Sequence, residues 1–543
     1  MLKSGEAFME NKFKILDCTL RDGGYINSWE FGEKTISSII DKLNNAEIDI
    51  IECGFLTQEC VNSEYSLFNK VSEIEKILKR YKTSNHKSML VAMIAIGEKE
   101  IDPTLLEEYN GRSIEGIRLT FHQHEIEKAM NWAKIIMNKG YKVFMQPVGT
   151  TSYNDLEILE LVEKINHLSP YAFYIVDTLG SMYKNELLHI FYLLDKNLNM
   201  DIHIGFHAHN NLQMAFANAQ ELTRIHTKRN LIIDASIYGM GRGAGNLPTE
   251  LIAEYINKNI RQTYHVTELL DIYDEYISII RERYEWGYSI PYHIAASNIC
   301  HPNYASYLIN KQTLKMKDIK QIIMSIPKAE RVLFNKKLIE KLYLEYQNNN
   351  IDDNDNIIRI HSLLNHRKIL ILAPGKSLRE SYDMIRQFIV KEKPYVISVN
   401  FYDSKFDIDA CFVSNHKRIE SIESRLADNR NVMIIATSNV SLNIKMDICY
   451  VNYYSYINSD EMVFDNAGLM LMYLLRRCGA SNFVLAGFDG FKTRYDENYY
   501  DSELTMQIDT EKLNEKQLRM KKQFREISDF IKIDFLTSSV YEE

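Results

Sequence analysis

Eight times before Gly245 the chain repeats one alternation: a short apolar run, a polar turn, then a longer amphipathic stretch. The runs fall at 14–19, 48–54, 88–95, 116–121, 142–148, 173–178, 203–209 and 231–239. Rich in Ile, Val and Phe and too short for helices, they have the character of parallel strands covered on both faces. Between them, stretches such as 33–45 and 185–194 carry apolar residues at helical spacing. Eight strands alternating with helices in roughly 240 residues is the arithmetic of a TIM (β/α)8 barrel, with an open doubly wound sheet as the alternative.

The chain continues well past that unit. Its 543 residues exceed one ordinary domain. From about 251 to 347 the pattern is helical without strands, including 266–284 and 318–324, and this stretch is expected to pack on a barrel spanning 12–250. The polar run 348–356 predicts a linker, 348–366. From 367 to 543 a second, smaller α/β unit follows, with strands expected at 368–373, 395–399, 410–413, 432–436 and 482–486. That spacing suggests a doubly wound, Rossmann-like sheet.

Composition removes several classes of function. A formal net charge of −9 leaves no basic field for nucleic acid. Cys18, Cys53, Cys60, Cys300, Cys411, Cys449 and Cys478 are scattered and form no CxxC pair. They predict reduced thiols in a cytoplasm rather than a disulfide frame or a structural zinc site. Residues 1–12 lack the apolar centre of a signal peptide, and no apolar run is long enough to span a bilayer, so an intracellular protein is expected.

In a barrel the chemistry sits at the carboxyl ends of the strands. Those ends supply Arg21 and Asp22, Glu52, His122 with His124, Gln146, Asp177, and His207 with His209. The last leads into Gly239-Met-Gly-Arg-Gly-Ala-Gly-Asn246. His207 and His209 are two apart on a strand and share a face. If that face is the interior, they meet Asp22, whose charge needs a partner or a metal. One carboxylate and two imidazoles make a divalent-cation site with open positions. Such a set suits manganese or magnesium, with cobalt or zinc as alternatives. Arg21 beside it is placed to hold a carboxylate or keto oxygen and to stabilise an enolate. Cys18 and Cys53 have no activating neighbour in sequence and read as core residues.

Three motifs, Asp17-Cys-Thr-Leu-Arg-Asp-Gly-Gly24, Gly205-Phe-His-Ala-His-Asn-Asn211 and the 239–246 loop, together resemble the HMG-CoA-lyase-like metal aldolases, nearest the 4-hydroxy-2-oxovalerate aldolases. The resemblance covers roughly residues 12 to 345. It implies a TIM barrel, a metal held by Asp22, His207 and His209, and an enolate of a pyruvate-like α-keto acid stabilised by Arg21. Carbon–carbon bond cleavage or formation would follow. The chain departs from the family at Tyr25, where those aldolases carry a histidine base. A phenol is a poor base at neutral pH, so proton transfer passes through water, His122 or another residue. Tyr25 and His122 are kept as candidate catalytic residues, and Glu52, Gln146, Asp177 and Asn246 as candidate substrate-binding residues.

In the second unit Ala373-Pro-Gly-Lys-Ser377 lacks the spacing of a Walker P-loop. A strand, a glycine turn and a helix start can still hold a phosphate. With Asn400, Asn415, 465–468 and 485–490, the stretch 367–495 resembles MptE-like and bacterial sialyltransferase-type domains. No histidine stands where those transferases place their acid/base residue. The resemblance implies nucleotide or nucleotide-sugar binding around Gly375, Ser377, Asn400 and Asp489. The leading expectation is a metal-dependent aldolase joined to a nucleotide-linked partner site, in unusual-sugar or surface-polysaccharide synthesis, acting on an aldehyde or sugar and assembling as a homo-oligomer. The rivals are a Claisen-type acyl-CoA-dependent acyltransferase on the same barrel and a non-catalytic barrel that presents the second unit.

Overall fold

The computed structural model describes residues 13–59, 62–80, 87–364, 367–426, 431–492, 498–505 and 513–542, which leaves Cys60 outside. Two compact units emerge: residues 13–303 with Pro327–Phe334, and Tyr304–Ile326 with 335–542. The helical stretch 251–347 is therefore divided between them.

In the first unit eight parallel strands close on themselves: β1 (Phe13–Asp17), β2 (Ile50–Leu56), β3 (Met89–Ala95), β4 (Gly116–Phe121), β5 (Lys142–Pro147), β6 (Ala172–Asp177), β7 (His203–Ala208) and β8 (Leu231–Ala235). Each pairs with its neighbours in sequence, and β1 pairs with both β2 and β8, which closes a TIM barrel. The helices α1 (Glu33–Asn45), α2 (Val71–Arg80), α3 (Ile126–Asn138), α4 (Asp155–Leu168), α5 (Lys184–Asn197), α6 (Ala215–Arg224) and α7 (Thr249–Asn259) follow the strands. In α1, Ile36, Ile39, Ile40 and Leu43 recur at helical spacing and are buried, each contributing roughly 1.5–3 kcal/mol. After β3 the expected helix is replaced by a single 3-10 turn, Pro103–Leu105, in a segment interrupted by the left-handed Gly97 and Gly111. β8 stops at Ala235 because Tyr238, at φ +53°, turns the chain, and Ser236 Oγ bonds the Met240 carbonyl.

Strand alternation explains where the site lies. Leu16, Ile50, Val91, Phe144, Ala172 and Ile232 fill the lower interior. Two residues further along the same faces stand Glu52, Gln146 and Asp234, joined by Arg118 from β4, all buried. The interior thus changes from apolar to ionic one layer below the carboxyl rim. Gly205 makes room for this: a Cβ there would lie 2.3 Å from the Tyr174 ring, which in turn carries the Arg118 guanidinium 5.1 Å from its centroid.

The second unit holds β9 (Ile369–Leu372), β10 (Tyr395–Val399), β11 (Ala410–Val413), β12 (Met433–Thr437), β13 (Ile448–Val451), β14 (Asn482–Ala486) and β15 (Lys532–Phe535). They form one parallel sheet in the order β13-β12-β11-β10-β9-β14-β15. The stretch 348–366 is not the open linker that its polar start suggests. It contains the helix Asn354–Leu364, because Ile357, Ile360 and Leu364 recur at helical spacing and the last two enter the second core. Among the described residues no helix is long and apolar enough to cross a membrane.

Candidate metal and enolate site

Immediately after β1 the chain makes a π-helical turn, Thr19–Gly23, in which the Cys18 carbonyl accepts from the amides of Arg21, Asp22 and Gly23. Such turns concentrate at functional sites. Asp17 anchors its base, accepting from Thr19 N (2.9 Å) and Thr249 Oγ1 (2.6 Å). Burial, against those two hydrogen bonds, raises the Asp17 carboxyl to about 6. Ser66 Oγ grips the Leu20 carbonyl and Trp29 Nε1 the Arg21 carbonyl. The turn is held from three sides, so Arg21 and Asp22 project from a fixed backbone.

Asp22, His207 and His209 meet above the ionic layer, each buried, with one potential ligand atom apiece within 4.8 Å of the others. His207 Nδ1 lies 3.0 Å from Asp234 Oδ2, which leaves Nε2 to face a cation. A carboxylate behind a ligating histidine fixes its tautomer and raises its basicity. Burial, outweighing Asp22, lowers His209 to about 3, so its imidazole stays neutral with a lone pair available. Burial pulls Asp22 upward, but Arg21, His209, His207 and Arg242 together hold it below the usual carboxylate range. One carboxylate oxygen and two imidazole nitrogens, free of thiolate, fit a divalent cation. Cys18 and Cys53 lie in the core, their thiols pushed up by burial.

Asn246 serves this site from behind: its Nδ2 donates to Asp22 Oδ2 (2.6 Å) and to the Met240 carbonyl (3.0 Å). Glu52 is likewise a support, accepting from Arg21 Nε (2.8 Å) and Arg118 Nη1 (2.6 Å). Arg118 also pairs with Asp234. With its amide oxygen turned to the guanidinium, Gln146 accepts from Arg118 Nε at 2.8 Å. Arg21 spends Nε on Glu52 and Nη1 on Asp22, while its buried Nη2 has no hydrogen-bond partner. A permanently charged donor left unsatisfied beside a metal-type cluster is ready for a substrate oxygen.

A cavity of roughly 150 Å³ opens above the cluster. Of the residues expected from sequence, Arg21, Asp22, Tyr25, His122, Gln146, His207 and His209 line it, and Glu52, Asp177 and Asn246 do not. Asp177 turns away, accepting from the amides of Ser181 (2.9 Å) and Met182 (3.0 Å) to close the loop after β6. His122 caps the turn after β4, and His124 is exposed outside the cavity. Sequence reasoning missed three charged or titratable wall residues: Glu98, Arg242 and His301. Arg242 lies inside the glycine-rich 239–246 motif, and His301 lies in a helical stretch with no metal spacing. Asp234, a lone acid in an apolar strand, was the available signal for the ionic layer.

Tyr25 forms one wall, edge-on to Trp29 and Phe55, with the Arg242 guanidinium 4.0 Å above its ring. Its hydroxyl donates to Glu98 Oε1 (2.7 Å), and burial holds the phenol well above its ordinary range. A phenol so held keeps its proton, donates a hydrogen bond to its carboxylate neighbour and does not act as a base. Tyr25→Phe is expected to leave the metal-dependent exchange of pyruvate methyl protons, followed by NMR in heavy water, within about threefold of the parent. Loss of a general base would instead cost about 10²–10⁴-fold.

The HMGL-like family pattern matches residues 12–275. A 4-hydroxy-2-oxovalerate aldolase of Thermomicrobium roseum is 28% identical over 264 residues, 48% of this chain and 70% of the relative. An oxaloacetate decarboxylase of Mycobacterium tuberculosis is 24% identical over 244 residues, 45% of this chain and 70% of the relative. Among solved structures, the N-terminal domain of an aldolase candidate from Bacteroides vulgatus is 26% identical, with a TM-score of 0.47, covering 55% of this chain and 96% of its own. Residues 12–275, just under half of this chain, are HMGL-like.

Proposed function

We propose that the barrel makes or breaks a carbon–carbon bond to a pyruvate-like α-keto acid through its enolate, with a divalent cation held by Asp22, His207 and His209. The observation that carries this reading is the buried carboxylate–imidazole cluster with the unsatisfied Arg21 Nη2 at its side. When bound, the cation supplies Lewis acidity toward the keto and carboxylate oxygens. Arg21 donates to the oxygen on which negative charge grows, in a cavity where hydrogen bonds are stronger than in water. The Asp234–His207 pair and the Asn246–Asp22 pair keep the ligand atoms in register. Manganese or magnesium suits the donors, and the acceptor is an aldehyde or sugar. Incubating the protein with pyruvate in heavy water, with and without manganese, tests the reading. Metal-dependent loss of the methyl proton signal is expected, and its absence overturns it.

The Tyr25 hydroxyl is spent on Glu98, so hydrogen-bond donation to the second substrate falls to another group, and His301 fits. The Asn303 amide donates to its Nδ1 (3.2 Å), so the neutral ring carries its proton on Nε2. Burial first, then Arg242, His209 and His122, lower the ring to about 3. It therefore stays neutral and donates a hydrogen bond from Nε2 to a carbonyl oxygen of the second substrate, stabilising the negative charge that grows there. His301→Ala is expected to lower the bond-making rate on the order of 10²-fold and to leave pyruvate exchange and metal content near parental. Because the folded ring resists protonation, the His301 contribution to stability is lost as pH falls from about 6.5 toward 3, at up to about 1.4 kcal/mol per unit. In denaturant titrations across that window His301→Ala should show a shallower decline.

A second reading has one feature in its favour. Decarboxylating a β-keto acid yields the same enolate and needs no base to begin, which suits a site with Tyr25 in the base position. Release of carbon dioxide from oxaloacetate, measured against retro-aldol cleavage of 4-hydroxy-2-oxo acids, separates the two. For the second unit we propose a nucleotide-linked partner, which would join the barrel to unusual-sugar assembly. Calorimetry with nucleotides tests this, and uniformly flat traces remove it.

A further inference from the structure

In the second sheet the strand order reverses between β9 and β14. Open parallel sheets bind ligands in the crevice outside the carboxyl ends at such a switch point. A cavity of roughly 200 Å³ lies there, walled by Pro374 and Gly375 after β9, Asn400 after β10, Asn415 after β11, and Gly487 and Asp489 after β14. Gly487 keeps the two central loops in contact: its φ is +77°, and a Cβ would lie 1.9 Å from the Ala373 carbonyl oxygen.

Among the described residues, two cations of the lining have no carboxylate within salt-bridge distance. Arg418 is 6% exposed, and its guanidinium reaches only the Leu504 carbonyl and the Tyr499 side chain. Lys311 sits among rings, its Nζ 3.9 Å from the Phe464 centroid, 4.9 Å from Tyr307 and 5.4 Å from Tyr343. Among the described residues its one hydrogen bond is to the Glu461 carbonyl at 3.4 Å. Burial lowers both from their ordinary values, a sign that each charge is poorly compensated. The carboxylates of the wall are engaged elsewhere: Asp465 accepts from Tyr343 OH (2.5 Å), and Asp489 from Ser377 N (2.7 Å) and Ser377 Oγ (2.5 Å). Ser377 and Asp489 therefore bond each other. The start of a helix, Ala467–Arg477, also lines the cavity and adds a positive dipole end. A buried cation without a counter-ion is costly, and a ligand anion removes that cost.

We propose that this cavity binds a small molecule through a phosphate or diphosphate group, held by Arg418 and Lys311. This deepens and rests on the nucleotide-linked reading of the unit only in its location, since sugar phosphates and nucleoside diphosphates share the recognised group. The test is calorimetry on the full chain with pyrophosphate, a hexose 1-phosphate, ADP, CDP, GDP and UDP, and the four parent nucleosides. Phosphorylated compounds are expected to bind, more weakly as salt rises, and the nucleosides to bind at least tenfold more weakly. Arg418→Met and, separately, Lys311→Met should each weaken binding tenfold or more, with thermal melting used to confirm that each variant folds. Two variants guard against one failing to fold. The proposal is overturned if no phosphorylated compound binds, if nucleosides bind as well as their diphosphates, or if both folded variants bind within twofold of the parent. Binding of pyrophosphate and hexose phosphate without any gain from a nucleoside would support the anion site and remove the nucleotide reading.

Discussion

Asp22→Asn is expected to remove bound divalent metal and, with it, metal-dependent exchange of pyruvate protons. Asp22 supplies the only anionic ligand in the cluster, and the amide that replaces it is neutral and a weaker donor. A Lewis acid contributes several kcal/mol to stabilising developing charge, so activity should fall on the order of a thousandfold or more. The fold should survive, because Arg21 keeps its bond to Glu52 and the turn keeps its backbone anchors. Metal analysis after dialysis, circular dichroism and the heavy-water exchange assay together check this. A variant with full metal occupancy would place the cation elsewhere.

The largest effect on stability is expected one layer deeper. Arg118 is fully buried and bridges Glu52 and Asp234, while Gln146 takes up its Nε. Arg118→Met preserves much of the stem volume but leaves Asp234 without a cation and Glu52 with Arg21 alone. Removing one partner from a buried ion network costs about 3–5 kcal/mol, since the remaining charge stays desolvated. Urea denaturation of the full chain should show this loss in the barrel transition. A change below about 1 kcal/mol would mean that water reaches the layer. Pairing the change with Asp234→Asn should recover part of the loss by removing the stranded charge, and the double variant should also lose metal affinity through His207.

The barrel was legible because its eight strands are buried along most of their length and read as apolar runs interrupted only by single polar residues such as Glu52, Arg118 and Asp234. The carboxylate–imidazole cluster was legible because His207 and His209 share a strand face and Asp22 follows the first strand. In the second sheet β13 and β15 were not foreseen. Both are edge strands, and in Lys532–Phe535 charged residues alternate with apolar ones, so no apolar run marks it. Sequence position placed Asp177 at a strand end but could not show that its oxygens are spent on Ser181 and Met182. Arg242 and His301 reach the cavity from turns and loops, where no period of 2 or 3.6 announces a side chain's direction. The cations of the second cavity were hidden for the same reason: the glycine turn drew the eye, and Lys311 and Arg418 lie outside it.

The order in which the chain is made gives the return of Pro327–Phe334 to the first unit a further meaning. A ribosome has delivered all eight barrel strands by Ala235, and His301 some sixty-six residues later. The cavity wall, however, is finished only by Val332, Leu333 and Phe334. Between them the chain has already laid down Tyr304–Ile326, which belongs to the other unit. Neither half can be exchanged as a cassette at a single junction, since a cut at residue 303 would yield a closed barrel with an unfinished cavity wall.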